Sequence, residues 1–402
     1  MKKAIVLLAM LPCMLACVAQ QKKRFKTNKS LVQIAQQNFT DAAAQYKLLM
    51  KNLPPDKFPK TYDPRTGKYE FSKSSWWCSG FYPGTLLYIY EQTKDETLYN
   101  EALRMLEVLK QEQYNTGTHD LGFMMYCSFG NANRLHPKPE YNDILLNSAR
   151  SLSTRFNDTV GCIRSWNSKP GNFLVIIDNM MNLELLFRTT HATGDSAFYK
   201  TAVTHANTTL KNHFRPDNSS YHVVNYDPST GAIKERKTAQ GYADASAWAR
   251  GQAWGLYGYT ETYRETKDPR YLQQAQRIAD FILNHKNLPA DKIPYWDFDA
   301  PDIPNTYRDA SAGAIMASAL LELCQYVDKK SADRYFKAAE TQLRALSSEA
   351  YKAAPGANGG FIIMHGTGHK PAGTEVDVPL TYGDYYFIEA SKRYLELATP
   401  RK

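Results

Sequence analysis

Thr193-Gly194-Asp195-Ser196-Ala197-Phe198-Tyr199 is the stretch whose reading decides the fold, because it recurs in altered form along the chain. Thr93-Lys94-Asp95 is followed by Tyr99, and Thr266-Lys267-Asp268 by Tyr271. Val327-Asp328-Lys329-Lys330 before Ser331 is a weaker echo. Each Asp suits the first position of a helix, where its carboxylate accepts from amides the helix leaves free. Each joint therefore predicts a helix ending before it and another beginning after it. Repeated helix–turn–helix units stack as helical hairpins.

The two members of each pair differ in composition. The second helices, expected over residues 98–112, 198–212, 271–285 and 332–346, carry many charges on one face and read as an outer layer. The first helices, expected over 81–91, 121–128, 179–189, 246–263, 310–327 and 384–397, carry Gly, aromatics and small residues, and read as an inner layer. About six pairs close on themselves by the logic of packed helix hairpins. The expected fold class is therefore all-α, an (α/α)6 toroid or barrel, as one catalytic domain over residues 30–402.

One minor β-hairpin is expected around Tyr226-Asp227-Pro228-Ser229-Thr230-Gly231, flanked by residues 221–225 and 233–237. Its near-copy, Tyr62-Asp63-Pro64-Arg65-Thr66-Gly67, is read as a turn. The glycine-rich region 359–373 is read as loop, with His365 and His369 facing solvent.

Residues 1–20 read as an export segment: Lys2 and Lys3 precede an apolar core from Ala4 to Leu15, too short to span a bilayer comfortably. Two endings compete. Leu15-Ala16-Cys17 resembles a bacterial lipobox that would make Cys17 a lipid anchor, and Cys17-Val18-Ala19 resembles a simple cleavage site. The mature chain is thus expected outside the cytoplasm, periplasmic or tethered to the membrane, with residues 21–29 as a basic tether. The formal charge of +9 favours acidic partners by electrostatic steering. No Lys/Arg block carries a nucleic-acid fold signature, so an acidic polysaccharide suits the surface better than nucleic acid. The mature Cys78, Cys127, Cys162 and Cys324 are scattered without a CxxC, as buried thiols would be.

The chemically unusual residues gather at the N-terminal ends of the expected inner helices. They are Trp76-Trp77, His119-Asp120, Asp178, Asp244 to Arg250, Arg308-Asp309 and Tyr382-Gly383-Asp384. Helix N-termini converging on one rim favour a bound anion. Caps account for the Asp and Ser residues but not for Trp77, His119, Trp248, Arg250 and Trp254. Trp77 and Trp254 could stack on sugar rings, and Arg250 could fork a carboxylate. The plainer alternatives are core packing for the Trp residues and a pair with a capping Asp for Arg250.

Asp178 has two readings. In Val175-Ile176-Ile177-Asp178-Asn179-Met180-Met181 it stands at the head of an expected helix, where it could simply cap the first turn. Alternatively, apolar neighbours desolvate it and raise its pKa, which suits a general acid. Other chemistries find less support. HExxH, GxSxG, phosphate-loop and dinucleotide patterns do not occur, so neither a metal nor a cofactor is expected.

In combination, several motifs resemble glycoside hydrolase family 88, the unsaturated glucuronyl hydrolases. They are Thr118-His119-Asp120-Leu121-Gly122-Phe123, Cys162 to Trp166, Ile176 to Asn182, Gln240 to Asp244, Ala247 to Trp254 and Gly383 to Phe387. The resemblance covers about Trp76 to Glu396. It implies an (α/α)6 barrel, Asp178 as catalytic acid/base and Asp120 as a second carboxylate needed for activity. It also implies His119, Trp166, His222, Gln240, Arg250, Trp254 and, less directly, Trp77 as pocket residues. Where many relatives carry His before the Gln-Gly-Tyr motif, this chain has Ala239, which alters contacts available to the sugar.

The implied substrate is a lyase-generated, glycosaminoglycan-type oligosaccharide ending in a 4,5-unsaturated uronic acid. Two other functions suit parts of the same pattern. One is an unsaturated rhamnogalacturonyl hydrolase acting on pectin fragments. The other is a non-catalytic glycan-binding lipoprotein, which would leave every substrate intact.

Overall fold

The computed structural model describes residues 25–399. The expected export segment, with Cys17, and the start of the expected tether lie outside the described residues. The rest of that tether is docked. Phe25 stacks on Phe336 at a centroid distance of 4.6 Å, and the Asn28 amide donates to the Tyr394 hydroxyl at 2.8 Å.

Among the described residues the chain is mostly helical, with twelve α-helices and four small sheets. In order these are α1 (Lys29–Asn52), α2 (Phe81–Thr93), α3 (Glu96–Leu109), α4 (Asn131–Leu135), α5 (Pro139–Ser153) and α6 (Leu183–Thr193). Then follow α7 (Ser196–Asn212), α8 (Ala249–Thr266), α9 (Pro269–Asn284), α10 (Ala310–Leu323), α11 (Lys329–Leu346) and α12 (Thr381–Ala398). A π-helix over Gly122–Gly130 runs into α4, and a 3-10 helix over Ile177–Asn182 runs into α6.

The Thr-(Lys/Gly)-Asp joints work residue by residue. Lys94, Gly194 and Lys267 take φ of 58°, 76° and 59°, and this left-handed turn ends α2, α6 and α8. The next residue caps the following helix: Asp95, Asp195 and Asp268 accept from the amides of Thr97, Ala197 and Arg270. The Thr hydroxyl accepts from the Asp amide in all three joints, at 3.2–3.3 Å. One tripeptide thus stops one helix, turns the chain and starts the next. Asp328 caps α11 in the same way, through the amides of Lys330 and Ser331.

The pairs form two layers. The inner segments contact one another in a circuit: α2 meets the π-helix, the π-helix meets α6, and α6 meets α8. The circuit continues from α8 to α10, from α10 to α12, and back to α2. Each has an outer partner, in order α3, α5, α7, α9, α11 and α1. Burial follows the layers. Every residue of α10 is buried, whereas α9 and α11 bury only one stripe.

The sheets depart from expectation. The expected hairpin is β6 (Val223–Tyr226) with β7 (Ile233–Lys237), after β1 (Phe58–Asp63), β2 (Lys68–Ser72), β3 (Phe156–Asn157), β4 (Cys162–Ile163) and β5 (Phe173–Ile176). It is joined by β5, so the sheet has three strands. Val175 and Ile176, expected to lead straight into a helix, instead pair with Val224 and Val223, as β-branched residues favour. The Tyr62 to Gly67 turn joins β1 and β2 into a hairpin. The expected loop near His369 contains β8 (Gly366–His369) and β9 (Thr374–Val378). Strands this short and this rich in Gly leave no legible alternation. His365 and His369 are half-buried there, and His365 bonds Asp377 at 2.6 Å. Cys78, Cys162 and Cys324 are buried and Cys127 is half-buried.

Backbones meet closely where α2 faces the π-helix. A Cβ on Gly80 would lie 2.1 Å from the Met124 carbonyl oxygen, and one on Gly84 would lie 2.3 Å from that of Cys127. Gly80→Ala is therefore expected to destabilise by about 1–3 kcal/mol, the usual result of overpacking. Gly255→Ala in α8, where a Cβ meets only ordinary contacts at 3.5 Å or more, should be neutral or stabilising. Urea unfolding of the two variants checks the contrast.

Candidate active site

The chain leaves β5 at Ile176 and enters the 3-10 helix, so Asp178 lies one residue past the turn-in. It caps nothing: Ile176 holds the N-cap position and no side chain bonds the first amides. The capping reading of Asp178 fails because its side chain points elsewhere. Its Oδ1 is buried with no hydrogen-bond partner. The segment packs on α8, where a Cβ on Gly258 would lie 2.5 Å from that of Met180 and Ile177 rests on Gly255. Desolvation pushes the Asp178 pKa up to about 7. The Arg250 charge pulls it down, and the Asp120 charge adds to the rise. Near neutral pH this carboxyl can both hold and release a proton.

His222 faces it. The His222 Nδ1 accepts from the amides of Ala239 at 3.1 Å and Gln240 at 3.2 Å. Two donors on Nδ1 put the ring proton on Nε2, which lies 3.9 Å from Asp178 Oδ1. Burial, with the Arg250 charge, holds the His222 pKa well below its usual value, so the ring is neutral. The Ala239 contribution is a backbone one.

The second carboxylate comes from the head of the π-helix. Asp120 Oδ1 is 3.2 Å from His119 Nε2, and Asp120 Oδ2 accepts from the Thr118 hydroxyl at 3.2 Å. His119 is buried, and burial lowers its pKa against the pull of Asp120. Asp120 and Arg250 are the charges that act on Asp178, so the structure brings these three groups and His222 together.

Arg250 is not an open fork. Its Nη1 donates to Asp309 Oδ2 at 2.7 Å and to the Thr367 carbonyl at 2.6 Å, and its Nη2 donates to Gln240 Oε1 at 3.0 Å and to the Gly368 carbonyl at 2.5 Å. Its partner Asp309 also caps α10 through Ser311 and Ala312. The plainer alternative, a pair with a capping Asp, is what the structure contains. The guanidinium ties β8 and the Gln240 loop to the head of α10. These carbonyl partners escaped sequence reasoning because their strand was read as loop.

The aromatics divide. Trp254 is core, 1% exposed, with Phe123 and Tyr386 rings 5.0 and 5.5 Å away, so its expected stacking face is covered by protein. Trp248 is likewise buried, with His222 at 4.4 Å and the Arg250 guanidinium at 4.6 Å from its ring. Trp77 is half-buried against Phe81, Phe123 and Tyr382, and Trp166 is half-buried, edge-on to His222. These two keep surface for a ligand.

A cavity of about 790 Å³ lies elsewhere, lined by Tyr126, Glu184, Glu261, Glu389 and Arg393 among others, and none of the candidate residues lines it. Most of its charges are paired internally, Glu389 by Tyr88, Tyr257 and Ser318, and Glu184 by Arg264. Its size does not make it the reactive site. Among the described residues no group of three or more His, Cys, Asp or Glu is arranged to hold a metal ion.

Known proteins resemble the chain over most of its length. Residues 55–395 match the model of Glycosyl Hydrolase Family 88. The chain is 45% identical over 377 residues to an unsaturated glucuronyl hydrolase of Formosa agariphila, covering 92% of this chain and 93% of that one. It is 32% identical to an unsaturated chondroitin disaccharide hydrolase of Streptococcus pyogenes, over 93% of this chain and 95% of the other. A solved unsaturated glucuronyl hydrolase specific for heparin superposes with a TM-score of 0.88 at 46% identity, covering 91% of this chain and 98% of that one.

Two stability predictions follow from the buried charges. Arg250→Ala leaves Asp309 buried and unpaired, which should cost about 3–5 kcal/mol in urea unfolding. For Asp178 the folded pKa is raised, so the folded state binds the extra proton. The group's contribution to stability is full below the unfolded pKa and is lost as pH rises from about 4 to about 7. Asp178→Asn cannot ionise. It should gain on the order of 4 kcal/mol over wild type between pH 4 and pH 8, measured as parallel unfolding curves. Asp384, also pushed up to about 7 by burial, adds its own decline equally in both proteins.

Proposed function

The chain belongs to glycosyl hydrolase family 88, and from that premise we propose that it removes a 4,5-unsaturated uronic acid from the non-reducing end of glycosaminoglycan-type oligosaccharides. The observation that carries the proposal is the half-buried carboxyl of Asp178, whose Oδ1 is buried without a hydrogen-bond partner and whose pKa is raised to about 7. The likeness to enzymes named for glucuronyl, chondroitin and heparin substrates supports this class of acidic sugar.

The chemistry follows from the enol ether. Protonated Asp178 gives its proton to C4, and the C4=C5 electron pair forms the new C–H bond. Positive charge then spreads over C5 and the ring oxygen. The carboxylate left behind is stabilised by the Arg250 charge. It takes a proton from a water whose oxygen bonds C5, giving a hemiketal and regenerating the acid. The hemiketal opens to a ketone at C5, and the anomeric carbon, left as a hemiacetal, expels the remaining sugar. One water is consumed. Because water adds at C5, the carboxylate-separation rule for retaining and inverting glycosidases does not apply.

In this reading Asp120 and Arg250 act on the protonation of Asp178 through their charges, and neutral His222 lines the pocket facing it. Trp77, Trp166, His119 and Gln240 shape the pocket, and Arg250 with Trp254 supports its wall. On the same reading the chain is a single-domain (α/α)6 toroid, supported by the inner circuit of segments that closes where α12 meets α2 and by its six outer partners. Residues 1–20 export the chain, which is periplasmic or held to the membrane by a lipid on Cys17, as Lys2, Lys3 and the short apolar core suggest.

The test follows the alkene absorbance of unsaturated disaccharides from heparin and chondroitin. Wild type should bleach it, and in heavy water should place one deuterium at C4 and none at the anomeric carbon. Asp178→Asn should slow turnover by about 10²–10⁴-fold, the usual worth of general acid–base catalysis. A well-folded Asp178→Asn that bleaches the alkene at near wild-type rate would remove Asp178 from the mechanism.

A further inference from the structure

Asn182 has no role in the steps above, yet it is fully buried between the two elements that carry the carboxylates. It follows Asp178 by four residues and ends the same 3-10 segment. Its Oδ1 accepts from the Phe123 amide at 3.0 Å. That amide is in the first turn of the π-helix, where a helix has no internal acceptor to offer. A side chain from a neighbouring segment thus caps the π-helix.

The contact is also tight. A Cβ on Gly122 would lie 2.4 Å from the Asn182 Cα and 2.8 Å from its Oδ1. Asp120 is bound into the same helix head, because its carbonyl accepts from the Met124 amide at 2.8 Å. Moving Phe123 therefore moves Asp120. We propose that Asn182 is a positioning residue for the reaction, fixing the separation of Asp120 from Asp178 by bridging their two segments. The inference rests on the reading of Asp178 as the acid.

The titratable and charged groups facing Asp178 are Asp120 from the π-helix head, Arg250 from α8, and His222 from the residue before β6. Arg250 is held by Asp309 and two carbonyls, and His222 by two amides, so neither depends on Asn182. Asp120 alone is tied through it. If the tie is cut, Asp120 drifts and its negative charge acts less on Asp178. The acid then loses its proton at lower pH.

The test compares wild type with Asn182→Ala, Asn182→Asp and Met181→Ala, each assayed by alkene bleaching from pH 5 to 9. Met181 is the buried neighbour that makes no such bridge, and it lines the cavity away from the candidate residues, so it reports packing loss alone. Asn182→Ala should lower kcat by about 10–100-fold, as roughly 1 Å of misplacement does. Its KM should change less than about threefold, and the alkaline limb of its pH profile should move to lower pH. Asn182→Asp keeps an acceptor for the Phe123 amide and should recover most of kcat, with no downward shift of the limb. Met181→Ala should lower the melting temperature and leave the limb in place.

A folded Asn182→Ala with wild-type kcat and an unmoved limb overturns the proposal, and so does a limb shift shared by Met181→Ala. If Asn182→Ala does not fold, Gly122→Ala decides, since it pries the same contact apart from the other side. It must reproduce the kcat loss and the downward shift, and retention of both wild-type values overturns the proposal. Wild type that leaves the alkene intact would sink the reading of Asp178 instead.

Discussion

A carboxyl group with one oxygen taken out of water and no hydrogen bond to replace it there is the constraint on which this structure turns. An ionised carboxylate in such a place is strongly disfavoured, and the group answers by holding its proton. The fold creates that place by bringing backbones together. The 177–182 segment lies directly on α8, close enough that Gly258 admits no side chain, and the π-helix lies as closely on α2. Asp178 Oδ1 is buried where the layers around it are packed at backbone distance, with glycines at the crossings.

The charges near the site do different work from the one their types suggest. Arg250 spends its hydrogen bonds on Asp309, Gln240 and two strand carbonyls, so it acts on Asp178 through its field and on the pocket through the wall it holds. His222 is neutral with its proton fixed on Nε2, a donor that does not compete for the acid's role. The result is one titratable group poised near neutrality, with an opposing pair of charges, Asp120 and Arg250, on either side of its balance. That arrangement suits a reaction needing a proton given and then taken back by the same group.

The helical layers were legible because the joints are local. A Thr, a residue able to turn left-handed and an Asp carry their instruction within three positions, and Asp95, Asp195 and Asp268 cap as expected. Asp178 carries the same residue type as those caps but follows a strand, and only the pairing of Val175 and Ile176 with β6 shows this. The gathering of Asp120, Asp178, His222 and Arg250 was expected from the rim and the family likeness. The burial of Trp254 and the pairing of Arg250 with a capping Asp stood only as the plainer alternatives, since the partners that decide them lie far off in sequence: Tyr386, Asp309 and Thr367. The π-helix and the β8–β9 hairpin left no periodic trace, because neighbours across the fold set them. Asn182 was hidden for the same reason, its partner being an amide 59 positions away.

The most direct measurement is the titration of Asp178 itself, by carboxyl-carbon NMR of protein labelled at Asp. The account predicts a buried carboxyl titrating near pH 7 whose resonance disappears in Asp178→Asn, distinct from that of Asp384. An Asp178 resonance that titrates near pH 4, like an ordinary solvated carboxyl, would contradict it.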